Sequence, residues 1–374
     1  MVSRLTPLER PNVVWSIGPW QGRPNRQLTD ATNLKASFSL TEYNEASCKI
    51  STPINEAMSV GEGRNDIWIY RNGVHLGRFR VCRPTLSFAD RFEGDIVARD
   101  YRYLMGLRGT RGTFTYVAPT DQATVIWEVF TNGQSWGLGD LGITQAPGWA
   151  ATGVTRTQVG IKDGDSVWKS VMTLAGLSNG CEPYINPDMT LSLNYPQKGS
   201  DKGVILDLIA SEQGVMSGSV AKATLAIDYE NFANAIRQYG DDGTAPVEAQ
   251  VPYLANQAEG VWALPIQQSG LTTNQMVIDA AQASLARANT VFPEYRIELR
   301  EGFWQGPSHI WLGDTVRQII RAGEYNIDRK VRVYGISVEW RDDGAEKVTL
   351  ELAKNALTGE RKLSQALRNL RALG

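Results

Sequence analysis

The sequence predicts an α+β, β-rich protein with one β domain near each end, a mixed α/β middle region between them, and a C-terminal helix. Three observations carry this. Short runs of aromatic and β-branched residues alternate with polar ones over residues 13–107 and again over 291–354. Gly and Trp are abundant, at 36 and 11 residues, and glycine-rich turns separate the runs. Helical spacing of apolar residues is confined to 108–290, which has room for two subdomains, and to the tail 355–374.

In the first β domain, Phe38 and Leu40 share one strand face, and Cys48 and Ile50 repeat the pattern after the polar turn 44–47. Ile67–Tyr70 are strand formers followed by Asn72-Gly73. That dipeptide accepts the positive φ angles of a type I′ turn, so a hairpin is expected, its return strand running from Val74 to Val81 and ending before Pro84. A further strand fits Phe92 to Tyr101. In the middle region, Thr120 or Asp121 caps a helix over 120–130. Asp165 or Ser166 caps a second helix, Val167–Leu177, whose Val167, Val171 and Leu174 form one stripe, with Asn179-Gly180 as its stop. Residues 184–195 read as a hairpin around Asn186-Pro187-Asp188, 196–203 as a polar exposed loop, and 204–262 as short strands and turns, with one strand over Lys222–Tyr229. Alanine-rich 273–289 reads as a long helix capped by Thr272 or Thr273.

The second β domain begins with a strand at Tyr295–Leu299. His309–Leu312 and Thr315–Ile320 are expected to flank Gly313-Asp314, and Lys330–Trp340 and Lys347–Leu352 to flank the turn 341–344. Val348, Leu350 and Leu352 alternate with Thr349 and Glu351, the pattern of a half-buried edge strand. The tail carries an apolar stripe of Leu363, Ala366, Leu367, Leu370 and Leu373 beside Arg361, Lys362, Arg368 and Arg371. Such a basic amphipathic helix docks on a partner chain, packs on its own domain, or frays.

Composition excludes several classes. With 42% hydrophobic and 21% charged residues the chain is not intrinsically disordered. Lys+Arg 38 against Asp+Glu 40 gives a net charge of −2, so the chain as a whole is no polycation for nucleic acid. Cys48, Cys82 and Cys181 are odd in number, far apart and without metal-ligand spacing, so they read as reduced, small buried groups. The N-terminus lacks the apolar core of a signal peptide, and no run of 18 apolar residues occurs, so no membrane span is expected.

The candidate chemical constellations each have a plainer reading. Asp163 and Asp165 could open a calcium loop, but Val167 and Lys169 stand where later ligands belong, so capping is preferred. Asp241-Asp242 and Asp342-Asp343, each followed by Gly, are turn acids and not carboxylates facing each other across a cleft. His75 and His309 are far apart, with no nucleophile motif. Gly106–Gly112 with Arg108 and Arg111 could cradle a phosphate, but it lacks a strand–loop–helix frame and reads as a flexible surface loop. Arg71, Arg78, Arg80, Arg83, Arg91, Arg99, Arg102 and Arg108 interleave with Asp66, Asp90, Glu93, Asp95 and Asp100, a salt-bridged surface or subunit interface. The tryptophans are scattered from Trp15 to Trp340 and build no sugar-stacking platform. No catalytic, metal or cofactor residue is assigned.

The phrases IWIYRNGVHLGRFRV and FEGDIVARDYRYLMGLR, then GDSVWKSVMTLAGLSNGCEPYINPDMTLSLNYPQKG, then LGDTVRQIIRAGEYNIDRKVRVYGISVEWRDDGAEKVTLEL give the chain, over about 36–354, an order that resembles the minor tail proteins of long-tailed bacteriophages, specifically the baseplate or tail-tip hub. The resemblance implies two β-barrel-like domains (13–107 and 291–354) and a homotrimer whose barrels make a pseudo-sixfold ring. Such a ring joins a distal tail protein and hexameric tail tube above to a threefold tip, fibre or tape-measure protein below. It also implies DNA passing through the lumen without specific binding, a virion location after assembly in the host cytoplasm, and no enzymatic activity or cofactor. Two rivals stand beside it: a carbohydrate-binding or glycoside-hydrolysing protein, which needs a cleft with convergent acids or exposed rings, and a portal or sheath component with sixfold or twelvefold stoichiometry.

Overall fold

The computed structural model describes residues 10–20, 22–52, 65–88, 92–135, 140–156, 159–175, 180–211, 213, 215–227, 233–240, 244–251, 261–267, 274–288, 293–323 and 325–354. The chain divides into two units, one built from Met1–Ala223 and Arg296–Lys362 and a second around Thr224–Tyr295.

The first unit opens with seven strands: β1 (Val13–Pro19), β2 (Arg26–Gln27), β3 (Ala31–Ser39), β4 (Glu45–Thr52), β5 (Asn65–Arg71), β6 (Val74–Phe88) and β7 (Phe92–Arg99). Their sheet order is β3-β4-β7-β6-β5-β1-β2. The β5–β6 hairpin turns where expected, with Asn72 at φ 49° and Gly73 at φ 77°. Phe38, Leu40, Cys48 and Ile50 all point into the core. One expectation fails: β6 does not stop at Pro84 but continues to Phe88. Its pairing with β5 ends at Arg80, and past that point β7 is its one ladder partner among the described residues, so the missing proline N–H sits on an edge where it is tolerated.

Asp100 ends β7 and caps α1 (Tyr101–Leu107), accepting from the Arg102 N–H at 3.1 Å. The middle then holds β8 (Phe114–Tyr116), β9 (Thr120–Asp121), α2 (Gln122–Gln134), β10 (Thr144–Gln145), β11 (Thr155–Arg156), β12 (Val159–Ile161), α3 (Val167–Ala175), β13 (Glu182–Ile185) and β14 (Thr190–Asn194). Asp121 caps α2 through the Ala123 N–H at 2.8 Å. Val125, Ile126, Val129 and Phe130 of α2 meet Val167, Val171 and Leu174 of α3 in a core of its own. The helices approach closely because residue 133 is glycine: a Cβ there would lie 2.1 Å from Cγ2 of Val167. The expected hairpin around 186–188 is present as β13 and β14.

The chain next forms β15 (Asp201–Ala210), β16 (Met216–Ser217) and β17 (Val220–Ile227). The second unit carries β18 (Ala235–Tyr239), β19 (Val247–Gln250), β20 (Ala263–Gln267) and α4 (Asn274–Ala288). β18 pairs antiparallel with β19 and parallel with β20. The chain returns through β21 (Pro293–Leu299), β22 (Thr315–Ala322), β23 (Tyr325–Trp340) and β24 (Glu346–Lys354).

Three further expectations are corrected here. His309–Leu312 is no strand: the segment turns, with the N–H groups of His309 and Ile310 donating to the Gly306 carbonyl, and it buries Ile310 and Leu312. The long strand β15 replaces the end of the expected polar loop and the first of the expected short strands. β24 is not an edge, because it pairs with β23 on one side and β21 on the other, although Val348, Leu350 and Leu352 are buried as their alternation requires. The tail 355–374, Asn179, Thr272, Thr273, Asp241 and Asp242 lie outside the described residues.

The strand pairing repeats within the chain. Near the N-terminus the order is β2-β1-β5-β6-β7-β4-β3, and later it is β16-β15-β22-β23-β24-β21-β17. Reading each set in chain order assigns β1 to β15, β2 to β16, β3 to β17, and β4–β7 to β21–β24. The long central strands match in detail: β6 has 15 residues and β23 has 16. Each carries an irregularity against its following strand, between Val81 and Arg83 in β6 and between Val333 and Gly335 in β23. One pairing differs. β1 runs antiparallel to β5, whereas β15 runs parallel to β22.

Candidate functional site

Two features of the first unit bear on function: the seam where the two strand sets meet, and the buried charges that pin them. The seam is formed by β23 and β3. β23 pairs with β22 up to Arg332, and from Gly335 to Trp340 the strand beside it is β3 (Leu34–Ser39), antiparallel. Phe38 faces Ile336, and both are buried. Lys35 sits directly opposite Glu339 on the solvent side, and their charged groups are 3.0 Å apart. Trp340 closes the seam, its indole N–H donating to Glu346 at 2.8 Å and its ring meeting Trp15 edge-on at 5.7 Å.

Four clusters of buried or half-buried charges lie inside the unit. Arg71, at the end of β5, grips Glu346 of β24 with Nε at 2.9 Å and Nη2 at 2.9 Å, donates to the Trp304 carbonyl, and lies 4.8 Å over the Trp304 ring. Arg332 of β23 makes a two-pronged pair with Glu182 of β13 at 2.7 and 2.5 Å. Burial opposes the Arg332 charge, but the Glu182 carboxylate outweighs it and holds the guanidinium above its ordinary value. Asp66, fully buried on β5, accepts from Arg78 at 2.7 Å, Arg80 at 2.7 Å and the Tyr101 hydroxyl at 2.6 Å. Burial, with the Asp66 charge beside it, raises the Tyr101 phenol. Asp100 and Arg102 add a fourth cluster: Arg102 Nε donates to Asp100 at 2.7 Å, and the Asn44 side chain reaches the Tyr184 hydroxyl at 3.0 Å.

The arginine-rich stretch is therefore salt-bridged, as its charge pattern predicts, but its strongest pairs lie inside the unit. An isolated buried charge costs several kcal/mol, so these residues are tolerable only together. The sequence reads them as a salt-bridged surface or subunit interface because charged residues usually sit outside the core. Placing the Asn-Gly turn does not reveal this pairing, because the turn's register sets Asp66 opposite Phe79 and only an irregularity between Ile69 and Tyr70 shifts the ladder by one to bring Arg80 there.

The remaining candidates do not converge. His75 stacks on Tyr70 at 4.7 Å, and burial pushes its imidazole down to about 4. His309 packs against Phe303 in the turn before β22, lowered by burial and by Lys202. Asp163 accepts from the Gly112 N–H and Asp165 from the Lys162 N–H. The helix α3 takes its cap contact from Ser166, whose hydroxyl receives the Lys169 N–H at 3.5 Å. The segment 106–112 is not the expected flexible loop: Gly106 and Leu107 end α1, the Arg111 and Gly112 amides go to Asn132 and Asp163, and Arg108 reaches the Gln134 carbonyl. Those amides have no capacity left for a phosphate. Asp343 caps its own turn through the Ala345 N–H. Cys48 is buried and its thiol is pushed up to about 12, mainly by burial. Trp15, Trp68, Trp304 and Trp340 are core residues. Among the described residues no group of three or more His, Cys, Asp or Glu could hold a metal ion. A pocket lined by Asn44, Arg78, Asp100, Tyr184 and Pro187 holds about 10 Å³, room for one water and no substrate.

No protein-family model matches the chain, and no curated relative matches it. Solved structures do. A tail protein from Neisseria meningitidis superposes with a TM-score of 0.63 at 12% identity, over 93% of this chain and 98% of that one. The 43 kDa tail protein of prophage MuSo2 from Shewanella oneidensis gives 0.64 at 12% identity, over 92% and 98%. The chain has a phage tail-protein fold. Prophage tail protein gp18 from Listeria monocytogenes shares this tail-protein fold at a TM-score of 0.51 and 13% identity, over 95% and 99%. The likeness therefore spans nearly the whole tail-protein fold in each case and not one module of it.

Proposed function

We propose that the protein is a structural hub subunit of a bacteriophage tail tip or baseplate. Three copies close into a ring of six β-barrel-like modules, two per chain, that joins the distal tail protein and tail tube above to a threefold tip, fibre or tape-measure protein below. DNA passes through the lumen, and the near-neutral charge of −2 suits a surface that must not hold it. The protein works in the virion without cofactor or catalysis.

The observation that carries this reading is the repeated strand order, β1–β7 matched by β15–β17 with β21–β24. A threefold assembly meets a sixfold neighbour with least mismatch when each chain presents two modules of one pattern. Against the glycan-active alternative, Asp163, Asp165 and Asp343 each accept from backbone N–H groups, and Trp15, Trp68, Trp304 and Trp340 are buried, while Trp262 is exposed. Sedimentation analysis of the purified protein tests the hub reading. A species of three times the chain mass, seen in negative stain as a ring with a central hole, is the expected result. A monomer at all concentrations, or a sixfold or twelvefold assembly, overturns it.

A further inference from the structure

The seam between β23 and β3 joins the second strand set to the first within one chain. We propose that the junction between neighbouring copies repeats it, with residues 83–88 of β6 in one copy pairing antiparallel with β17 of the next. The inference rests on the hub reading and names its contact strands.

The argument is one of equivalence. In the strand order, β6 corresponds to β23 and β17 to β3. After the irregularity at Val333/Gly335, the distal part of β23 leaves β22 behind and takes β3 as its neighbour. After the matching irregularity at Val81/Arg83, the distal part of β6 leaves β5 behind and keeps β7 on its other side. Among the described residues no strand takes the place that β3 fills in the seam. β17 is likewise paired on one side, to β21, where β3 is paired on both, to β4 and β23. The chain therefore offers one half of the seam on β6 and the other half on β17.

Both stretches are open to solvent. Arg83, Thr85 and Ser87 are exposed on β6, and Lys222, Thr224 and Leu225 on β17. An edge of this length with no partner among the described residues invites another strand, and Pro84 blunts it against arbitrary partners. A second copy satisfies both edges at once, and because the two edges differ, the contact is head-to-tail and closes only as a ring.

Disulfide trapping tests this on the full chain. In a Cys82→Ser background, which leaves only the buried Cys48 and Cys181, Ser87→Cys is combined in turn with Lys222→Cys, Ala223→Cys and Thr224→Cys and oxidised. At least one pair should yield covalent species at two and three times the chain mass on non-reducing gels, and none of the single variants should. Hydrogen exchange supplies a readout without substitution: the amides of 85–88 should become at least tenfold better protected when the protein is concentrated from monomer to oligomer. A wild-type trimer with no linked species from any pair and no protection at 85–88 overturns this inference and leaves the hub reading standing. Crosslinks confined to single chains also overturn it. A wild-type protein that stays monomeric overturns both.

Discussion

The two strand sets share a ladder and differ in what surrounds it. In the first, β3 passes to β4 through the short turn 40–44; in the second, β17 and β21 are separated by the whole second unit. In the first, the outer strand β1 is antiparallel to its neighbour; in the second, β15 is parallel, as befits a strand that arrives from the middle region. The clearest contrast is at the long strands: the distal half of β23 is paired on both sides, to β24 and β3, whereas among the described residues the distal part of β6 is paired to β7 alone. A pairing pattern therefore survives large changes in connection, and the two strand sets diverge at their rims.

Substitutions can sharpen this comparison. The largest loss is expected at Arg332, which binds the second strand set to the middle hairpin. Arg332→Met strands the Glu182 carboxylate and should cost about 3–5 kcal/mol in guanidinium unfolding, much of it recovered in the double variant with Glu182→Leu. Arg71→Met strands Glu346 and should cost about 3 kcal/mol, weakening the tie between β5 and β24. Both measurements refute the pinning role if stability moves by less than about 1 kcal/mol.

Acid should act on the first set through His75. The unfolded chain takes up this proton near 6.5 and the folded protein only near 4, so the stability is intact above pH 6.5 and falls as pH drops toward 4, by on the order of 2 kcal/mol. His75→Gln should flatten that part of the stability profile; an unchanged slope rules His75 out. Gly73→Ala and Gly323→Ala, at φ 77° and 59°, place a side chain in the left-handed region at the second and first positions of their two-residue turns and should each cost about 1–2 kcal/mol in guanidinium unfolding. The smallest effect belongs to Lys35→Ala, which removes a solvent-exposed pair with Glu339 and should change stability by about 0.5 kcal/mol.

Local features were legible in the sequence and long-range ones were not. The Asn72-Gly73 turn, the Asp121 cap and the α3 stripe depend on a few neighbouring residues, and each appears as read. β15 was missed because its partner β22 lies more than a hundred residues away, and no local pattern announces a parallel ladder. His309–Leu312 has strand composition but turns, because Gly306 and Gly313 both adopt positive φ around it. The seam was hidden for the same reason as β15: Lys35 and Glu339 look like two ordinary surface charges until the fold sets them side by side.

The excursion between β17 and β21 has a geometric consequence. A polypeptide with two matching ladders but one long insertion halves rotational order. Wherever such ladders alternate around an axis, the appendage recurs at every second station, so a six-spoked wheel would bear ornaments on only three spokes.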